Sequence, residues 1–305
     1  MSKTSSTWAI AAAFLAGIFI ALQSRINGGL GLALEDGISA ALFSFTSGWL
    51  LIGAVFAANK ESRAGLLRLM SKVRSRELPL WFLLGGTLGG FLVMTQGVAA
   101  GYLGIALFTV AVVAGQSLSA ITIDSRGLLG TTKRPLSLFR AVGAALVLLG
   151  VGLVVEDPDP KTIGLVLLPL IAGLGLGFQQ AANGRVRIES ESAIAATFLN
   201  FATGSLFLLI LKIVTLPATG LPTEFPPHWW LYLGGVVGVI FIAIQVITVS
   251  QIGVLSLGVL LGTGQLLGSL LIDIFLPVPG QAISLQHFVG VGIAIVGALL
   301  VNLKR

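Results

Sequence analysis

Two ten-residue stretches of this chain match each other at their polar positions. GQSLSAITID (115–124) and GQLLGSLLID (264–273) share the glycine, the glutamine and the closing aspartate at the same spacing, 149 positions apart (264 − 115). Amide side chains donate and accept hydrogen bonds, and a carboxyl group can hold or release a proton. In apolar runs, such groups are candidates for a polar binding site or a gate.

Other amides in apolar runs are also matched. Gln23 and Asn27 stand four residues apart, on one helix face, and so do Gln179 and Asn183. An amide in hydrocarbon is costly without a partner, so these groups should point inward, either to bind a substrate or to bond one another across helices. The candidate substrate-binding residues are Gln23, Asn27, Gln96, Gln116, Gln179, Asn183, Gln245 and Gln265.

Two aspartates, Asp124 and Asp273, close long apolar runs at matched positions. Each is followed, at the start of the next predicted helix, by a basic residue, Arg140 or His287. One hypothesis makes these four residues alternating gates or proton-sensitive switches, since histidine titrates near neutral pH. The alternative is that charges at helix ends simply reach the membrane interface. No metal site or cofactor is predicted, because the chain has no cysteine and only two histidines.

The composition places these residues in a membrane. Hydrophobic residues make up 55% of the chain and charged residues only 10%, with a mean hydropathy of +1.00, too few charges to cover a soluble globule of this length. Apolar runs long enough to cross a bilayer must be helical, because only a helix satisfies its own backbone there. We predict an all-α integral membrane protein with ten transmembrane helices, near 8–24, 38–58, 80–100, 104–124, 138–155, 163–182, 193–214, 229–249, 254–275 and 287–303.

Basic residues predict the orientation of these helices. With the N-terminus in the cytoplasm, fourteen Lys and Arg residues lie in inward loops and tails, against three in outward loops. This is a strong positive-inside bias, so we expect both termini to be cytoplasmic. The pI of about 10.1 then reflects topology. Nucleic acid is not a predicted partner, since its binding would need basic residues on one exposed face.

The whole chain reads as a tandem duplication. Residues 79–124 align without a gap to 228–273, with upstream matches at an offset of 156 and downstream matches at 147. We predict two five-helix repeats, residues 1–157 and 158–305, called below the first and second halves. Because five is odd, the second repeat starts on the opposite side of the membrane and is inverted. Inverted repeats with a site at their interface are typical of secondary transporters.

The paired motifs GG-x2-G-x6-Q (85–96, 234–245) and GQ-x7-D (115–124, 264–273) resemble the YdcZ-like branch of the drug/metabolite transporter superfamily. The resemblance covers nearly the whole chain and implies a bacterial inner-membrane protein. It also implies that the first, third and fourth helices of each half line a central cavity, while the fifth helix serves packing. The related small multidrug resistance proteins carry a glutamate in the first helix, where this chain has Gln23 and Asn27. Arg25 there would suit an anionic or zwitterionic solute, or only anchor the helix end.

We therefore predict a secondary transporter, an exporter of a small polar or amphipathic metabolite or drug, working by alternating access. A passive channel or a non-transporting assembly subunit is the alternative. A membrane enzyme is disfavoured, because no cluster of acids or positioned base is present. The predicted partners are a small-molecule substrate and the lipid bilayer, with a homodimer left open.

The inverted arrangement makes a topological prediction. Tags at residues 126 and 280 are expected to lie on opposite sides of the membrane, residue 126 in the cytoplasm and residue 280 outside. Labelling single introduced cysteines with an impermeant maleimide in intact cells and in inverted vesicles checks this. Labelling of both residues from one side would contradict the inverted duplication.

Overall fold

A computed structural model describes residues 3–128, 136–155, 159–277 and 283–302, with the side chains of 3–6, 124, 246, 249–251, 253–256 and 302 outside the described set. In this part the chain is helical and contains no strand. The α-helices are α1 (Lys3–Ala33), α2 (Gly37–Ala58), α3 (Lys60–Arg74), α4 (Gly85–Thr95), α5 (Gly101–Leu103), α6 (Ile105–Arg126), α7 (Leu138–Val154), α8 (Pro160–Ser190), α9 (Ala193–Thr219), α10 (Gly234–Phe275) and α11 (Leu285–Asn302). A 3₁₀ turn (Leu80–Leu84) leads into α4, a π turn (Gln96–Ala100) joins α4 to α5, and a second 3₁₀ turn (Trp229–Tyr232) precedes α10.

The fold class predicted from the sequence is confirmed: this is an all-α membrane protein. Among the described residues, seven helical segments are long and apolar enough to cross a bilayer, and the shorter apolar segments are Leu138–Val154, Gly234–Gln245 and Leu285–Val301. These segments coincide with the ten predicted spans, but the number of crossings itself stays a prediction. The predicted domain boundary at 157–158 falls outside the described residues.

Matched positions form the turns that separate the first two helices of each half. Asp36 accepts a hydrogen bond from the Ser39 amide at the start of α2 (2.9 Å), and Ser192 accepts one from Ala195 at the start of α9 (3.2 Å). The residue before each cap, Glu35 or Glu191, is left-handed, with φ of 51° and 54°. Asp and Ser suit such caps because their oxygens satisfy the free amides of a first helical turn. The duplication is thus visible in local structure.

The structure differs from the sequence prediction at the eighth and ninth spans. A break was expected between 249 and 254, yet α10 extends over 42 residues. A straight helix of this length would span about 63 Å. Both of its ends nevertheless meet α1: Gly234 accepts a hydrogen bond from Gln23, and Leu276, just after the helix, accepts one from Arg25. The chain must therefore reverse direction within α10, so that two spans run side by side.

Each half packs its first helix on the other half. Helix α1 lies along α10, where a Cβ on Gly17 would come within 2.3 Å of the Leu261 carbonyl oxygen. Helix α8 lies along α6, where a Cβ on Gly173 would come within 2.1 Å of the Val112 oxygen. Only residues without a side chain allow backbones to approach this closely in a membrane. The main packing therefore runs between the halves.

Matching helices of the two halves also pair with each other, and they pair antiparallel. Gly143 of α7 faces Gly297 of α11, while Gly150 faces Gly290. Residue numbers therefore increase along one helix as they decrease along the other. In the same way Gly48 of α2 faces Phe201 of α9, and Gly204 faces Phe45. The Phe45 and Phe201 rings meet at 5.0 Å between the halves.

The α7–α11 contact gives a stability prediction with an internal control. A Cβ on Gly297 would lie 2.6 Å from the Gly143 oxygen, whereas one on Gly292 of the same helix would meet no described atom within 4 Å. We expect Gly297→Ala to lower the melting temperature in detergent, because overpacking costs about 1–3 kcal/mol. Gly292→Ala should be neutral or stabilising, since alanine favours helix by about 1 kcal/mol. Equal melting temperatures for the two variants would contradict this packing.

Candidate functional site

The first polar cluster joins α1 to the end of α4 and consists of Gln23, Ser24, Asn27 and Gln96. Asn27 Nδ2 donates to Gln96 Oε1 at 2.7 Å, and Gln96 Nε2 donates to Ser24 Oγ at 3.0 Å. Gln23 Nε2 donates to the Gly234 carbonyl oxygen at 2.9 Å, which ties the cluster to the second half. All four side chains are buried, at 2% exposure or less.

The second polar cluster joins α8 to α9 and consists of Gln179, Asn183 and Asn200. Gln179 Nε2 and Asn183 Nδ2 both donate to Asn200 Oδ1, at 3.0 and 2.9 Å. The sequence predicted Gln179 and Asn183 as neighbours, whereas their common acceptor Asn200 was missed. The residue that matches Asn200 in the first half is Ser44. A polar residue at the same position of two matched apolar helices was the sequence feature that could have identified Asn200.

Glycines of the opposite half bring the two clusters close to the seam between the halves. A Cβ on Gly234 would lie 2.1 Å from Asn27 Oδ1, and one on Gly238 would lie 2.6 Å from Gln23 Nε2. Gly85 and Gly89, the matching pair, face Asn183 and Gln179 in the same way. These glycines therefore belong to the site, because any side chain there would displace the amides.

Several polar atoms of the clusters have no hydrogen-bond partner among the described residues. They are Gln23 Oε1, Asn27 Oδ1, Ser44 Oγ and Asn200 Nδ2. Buried polar atoms in native proteins almost always have a partner, so unpartnered ones call for water or a solute. These unpartnered atoms include acceptor oxygens in the first cluster and a donor nitrogen in the second. A solute that carries both a hydrogen-bond donor and an acceptor would satisfy them.

The other three predicted amides do not join either cluster through a described hydrogen bond. Gln265 is 2% exposed beside Gly17, and its Nε2 has no described partner. Gln116 is half-buried beside Gly173, and Gln245 is half-buried on α10. Gln116 and Gln265 thus lie where α6 and α10 cross the first helix of the other half.

Asp273, near the C-terminal end of α10, caps the N-terminus of α6 in the other half. It is 6% exposed and accepts hydrogen bonds from the Ile105 amide (3.0 Å) and the Ala106 amide (2.6 Å). Gly104 just before them has φ of 78°, a conformation that suits glycine and allows the break between α5 and α6. The carboxylate satisfies two backbone amides that no helix turn can.

The remaining predicted gate residues occupy helix ends. Arg140 is buried in α7, with Nη2 at 3.5 Å from the Ala120 carbonyl oxygen. His287 lies at the start of α11, where its Nδ1 is 3.1 Å from Ser284 Oγ. The Asp124 side chain lies outside the described set, so its predicted pairing with Arg140 is not described.

The two halves are packed differently at matched places. In the first half, α1 presses on the segment after α4: a Cβ on Gly28 would lie 2.7 Å from the Gly101 amide nitrogen. At Gly184, the match of Gly28, a Cβ would meet no described atom within 4 Å. Gln96 also starts a π turn. The residues that match Ala100 and Gly101 are positions 249 and 250, whose side chains lie outside the described set, so close packing is described at the Gly28 junction alone.

A cleft of about 540 Å³ opens between α2 and α9, lined mainly by apolar side chains such as Phe43, Leu206 and Leu209. At one end Lys212 forms an ion pair with Asp36 and also donates to the Gly220 carbonyl oxygen. Burial raises the pKa of Asp36, but hydrogen bonds from Lys212 and Ser39 and the Lys212 charge outweigh it, so the pKa lies below its usual value. Sequence analysis missed this pair, because the two residues are 176 positions apart.

Comparison with known proteins agrees with this architecture. The model of a family described as "Putative inner membrane exporter, YdcZ" matches two regions, residues 8–153 and 164–300. Seven chains of solved structures are similar to this chain. One, a crystal structure, aligns with a TM-score of 0.58 over 98% of both chains at 17% identity, a likeness of fold alone. No curated protein matches the chain.

The Asp273 cap predicts a graded loss of stability. Asp273→Ala removes both hydrogen bonds and should lower the melting temperature, consistent with a loss of about 1–3 kcal/mol for unsatisfied buried donors. Asp273→Asn keeps one acceptor oxygen and should lose less. Asp159→Ala, at the exposed cap of α8, serves as the comparison and should lose less than Asp273→Ala, because water can satisfy its freed amides; an exposed cap is worth about 0.5–2 kcal/mol. An Asp273→Ala protein as stable as the wild type would mean that the cap is unimportant.

Proposed function

The chain belongs to this family of inner-membrane exporters, and we propose that it exports a small polar or amphipathic solute by alternating access between two inverted five-helix repeats. Membership of this family makes the protein a multi-pass transporter of the inner membrane. The repeats are residues 1–157 and 158–305. The substrate class, the inversion and the mechanism are the proposal.

The antiparallel pairing of matched helices supports the inversion. If both halves had the same orientation, matched helices such as α7 and α11 would run parallel. Instead Gly143 meets Gly297 and Gly150 meets Gly290, as a twofold axis in the membrane plane requires. Inverted repeats of this kind give two related states of similar energy, which a carrier needs.

The observation that carries the proposal is the unequal hydrogen bonding of two matched asparagines. Asn27 donates to Gln96 at 2.7 Å, next to the close contact of Gly28 with Gly101. Asn183, the match of Asn27, donates to Asn200 instead at 2.9 Å. With both termini in the cytoplasm, the closely packed Gly28 junction faces outside. An exporter closed on that side would take up its solute from the cytoplasm.

The two polar clusters suit a solute without a strong net charge. Their side chains are amides and hydroxyls, and their unpartnered atoms include both acceptors and a donor. A solute with a hydrogen-bonding group and an apolar part would satisfy them, with the Phe45 and Phe201 rings between the clusters. Gln116, Gln245 and Gln265 would line the path along the helices that cross the seam.

The four charged residues at helix ends are proposed as gate residues. Asp273 already links α10 to α6 across the halves, and Arg25 donates to Leu276 on the same side. Asp124, Arg140 and His287 would act at their own helix ends. If this role is right, Asp124→Asn and Asp273→Asn proteins transport more slowly than the wild type, and unchanged rates in both would remove it.

Transport can be tested in proteoliposomes. A thermal-shift screen against a metabolite library first identifies a ligand that stabilises the folded protein. We then expect uptake of the labelled ligand to be stimulated by unlabelled ligand inside, as in a carrier. Asn200→Ala should reduce this exchange about tenfold or more, because it removes the acceptor shared by Gln179 and Asn183, while Thr122→Ala, exposed on α6, should not.

The same experiment separates the alternative function. Downhill flux without stimulation by internal ligand would indicate a passive channel. Exchange that survives Asn200→Ala would keep the carrier but place its binding site elsewhere.

A further inference from the structure

We propose that two mirror-related hydrogen-bonded trios act as alternating latches that close the two sides of the protein. The first latch consists of Ser24, Asn27 and Gln96. The second consists of Gln180, Asn183 and Gln245. This inference rests on the proposed alternating access and names the residues that hold each state.

The first latch is closed in this structure. Gln96 accepts from Asn27 at 2.7 Å and donates to Ser24 at 3.0 Å, so the end of α4 is tied to α1 within the first half. Asn27, Ser24 and Gln96 are all fully buried. Next to them Gly28 is pressed on Gly101, and a Cβ on Gly31 would lie 2.0 Å from the Gly97 oxygen. Polar bonds and close backbone contact together seal this side.

The second latch has Asn and Gln in register with the first, with Gln180 in place of Ser24, but its residues are not bonded to one another among the described contacts. Gln180, Asn183 and Gln245 stand at the positions that match Ser24, Asn27 and Gln96, at offsets of 156 and 149. Asn183 instead donates to Asn200 at 2.9 Å. No hydrogen bond among the described residues joins it to Gln245, and Gly184 beside it meets no described atom within 4 Å.

The π turn marks the first latch as a local distortion that can be released. Single π turns in α-helices are unusual and occur often at functional sites. Gln96 is the first residue of this one. Closing the second latch would bring Gln245 to Asn183, and opening the first would free Asn27 and Gln96. Each of the two proposed states thus satisfies the hydrogen bonds of one latch.

The two latches predict opposite directions for the change in the ratio of the two conformational states. Asn27→Ala, Gln96→Ala and Ser24→Ala weaken the first latch and should shift the protein away from the state seen here. Asn183→Ala, Gln245→Ala and Gln180→Ala weaken the second latch and should shift it toward that state. Since one interhelical hydrogen bond in a membrane is worth about 0.6–2 kcal/mol, each shift should be about three- to thirtyfold in the ratio of states.

The absence of cysteine from the sequence makes the measurement direct. Spin labels on introduced cysteines at Glu35 and Tyr102 report the first side, and labels at Glu191 and Ile247 report the second. Tyr102 and Ile247 are about equally exposed, 50% and 48%. Pulsed dipolar spectroscopy gives the distance distribution for each pair. First-latch variants should lengthen Glu35–Tyr102 and shorten Glu191–Ile247, and second-latch variants should do the reverse.

Controls keep the outcome clear. Thr122→Ala should leave both distributions unchanged, and circular dichroism with gel filtration shows which variants are folded. If Asn27→Ala does not fold, Asn27→Ser, which is too short to reach Gln96, takes its place. In the double variant Asn27→Ala/Gln96→Ala the shift should be no larger than in Gln96→Ala alone, because Gln96→Ala already removes the bond to Asn27.

Shifts in the same direction for both trios, or no shift, would overturn the latch proposal. If wild-type exchange in proteoliposomes is intact in that case, alternating access stands and only the latch assignment fails. A single unchanging distance in every variant, together with no exchange, would overturn both.

Discussion

The structure depends on one constraint: an amide inside a membrane must find a hydrogen-bond partner. This chain buries amides on helices of both halves and bonds most of them within their own half, as Asn27 bonds Gln96. Gln23 reaches across to the Gly234 backbone of the second half. Glycines of the opposite half pack directly on both polar clusters, so separating the halves would expose these amides to hydrocarbon. The contact between the halves therefore buries the polar clusters as well as forming the candidate site.

Glycine makes these contacts geometrically possible. Without glycine at 17, 173 and 264, the backbones of α1 and α10, or of α6 and α8, could not approach to the distances observed. Close approach also brings Gln23 within hydrogen-bonding range of the Gly234 backbone. In the proposed mechanism the same glycines would let the helices slide past one another, since they carry no side chains that interlock.

Much of this could be read from the sequence, because duplication places the same residue types in register twice. The apolar spans and the paired amides were both visible in that way. Three features were not. Asn200 and Lys212 act through partners that no spacing rule connects, and the reversal within α10 depends on tertiary contacts at both of its ends. Sequence symmetry also could not say which of two equivalent junctions would be closed.

The positions at which the repeats differ give a physical reason for that choice. Asn200 accepts from Gln179 and Asn183 at once, which holds Asn183 away from Gln245. Its match in the first half is Ser44, whose shorter side chain makes no described hydrogen bond to Gln23 or Asn27. Asn27 is therefore free to bond Gln96. One difference between otherwise matched helices, Ser for Asn, thus accounts for the different hydrogen bonding of Asn27 and Asn183. In the proposed mechanism the resulting bias is small, because a single membrane hydrogen bond is worth about 0.6–2 kcal/mol, and a bound solute would be able to reverse it.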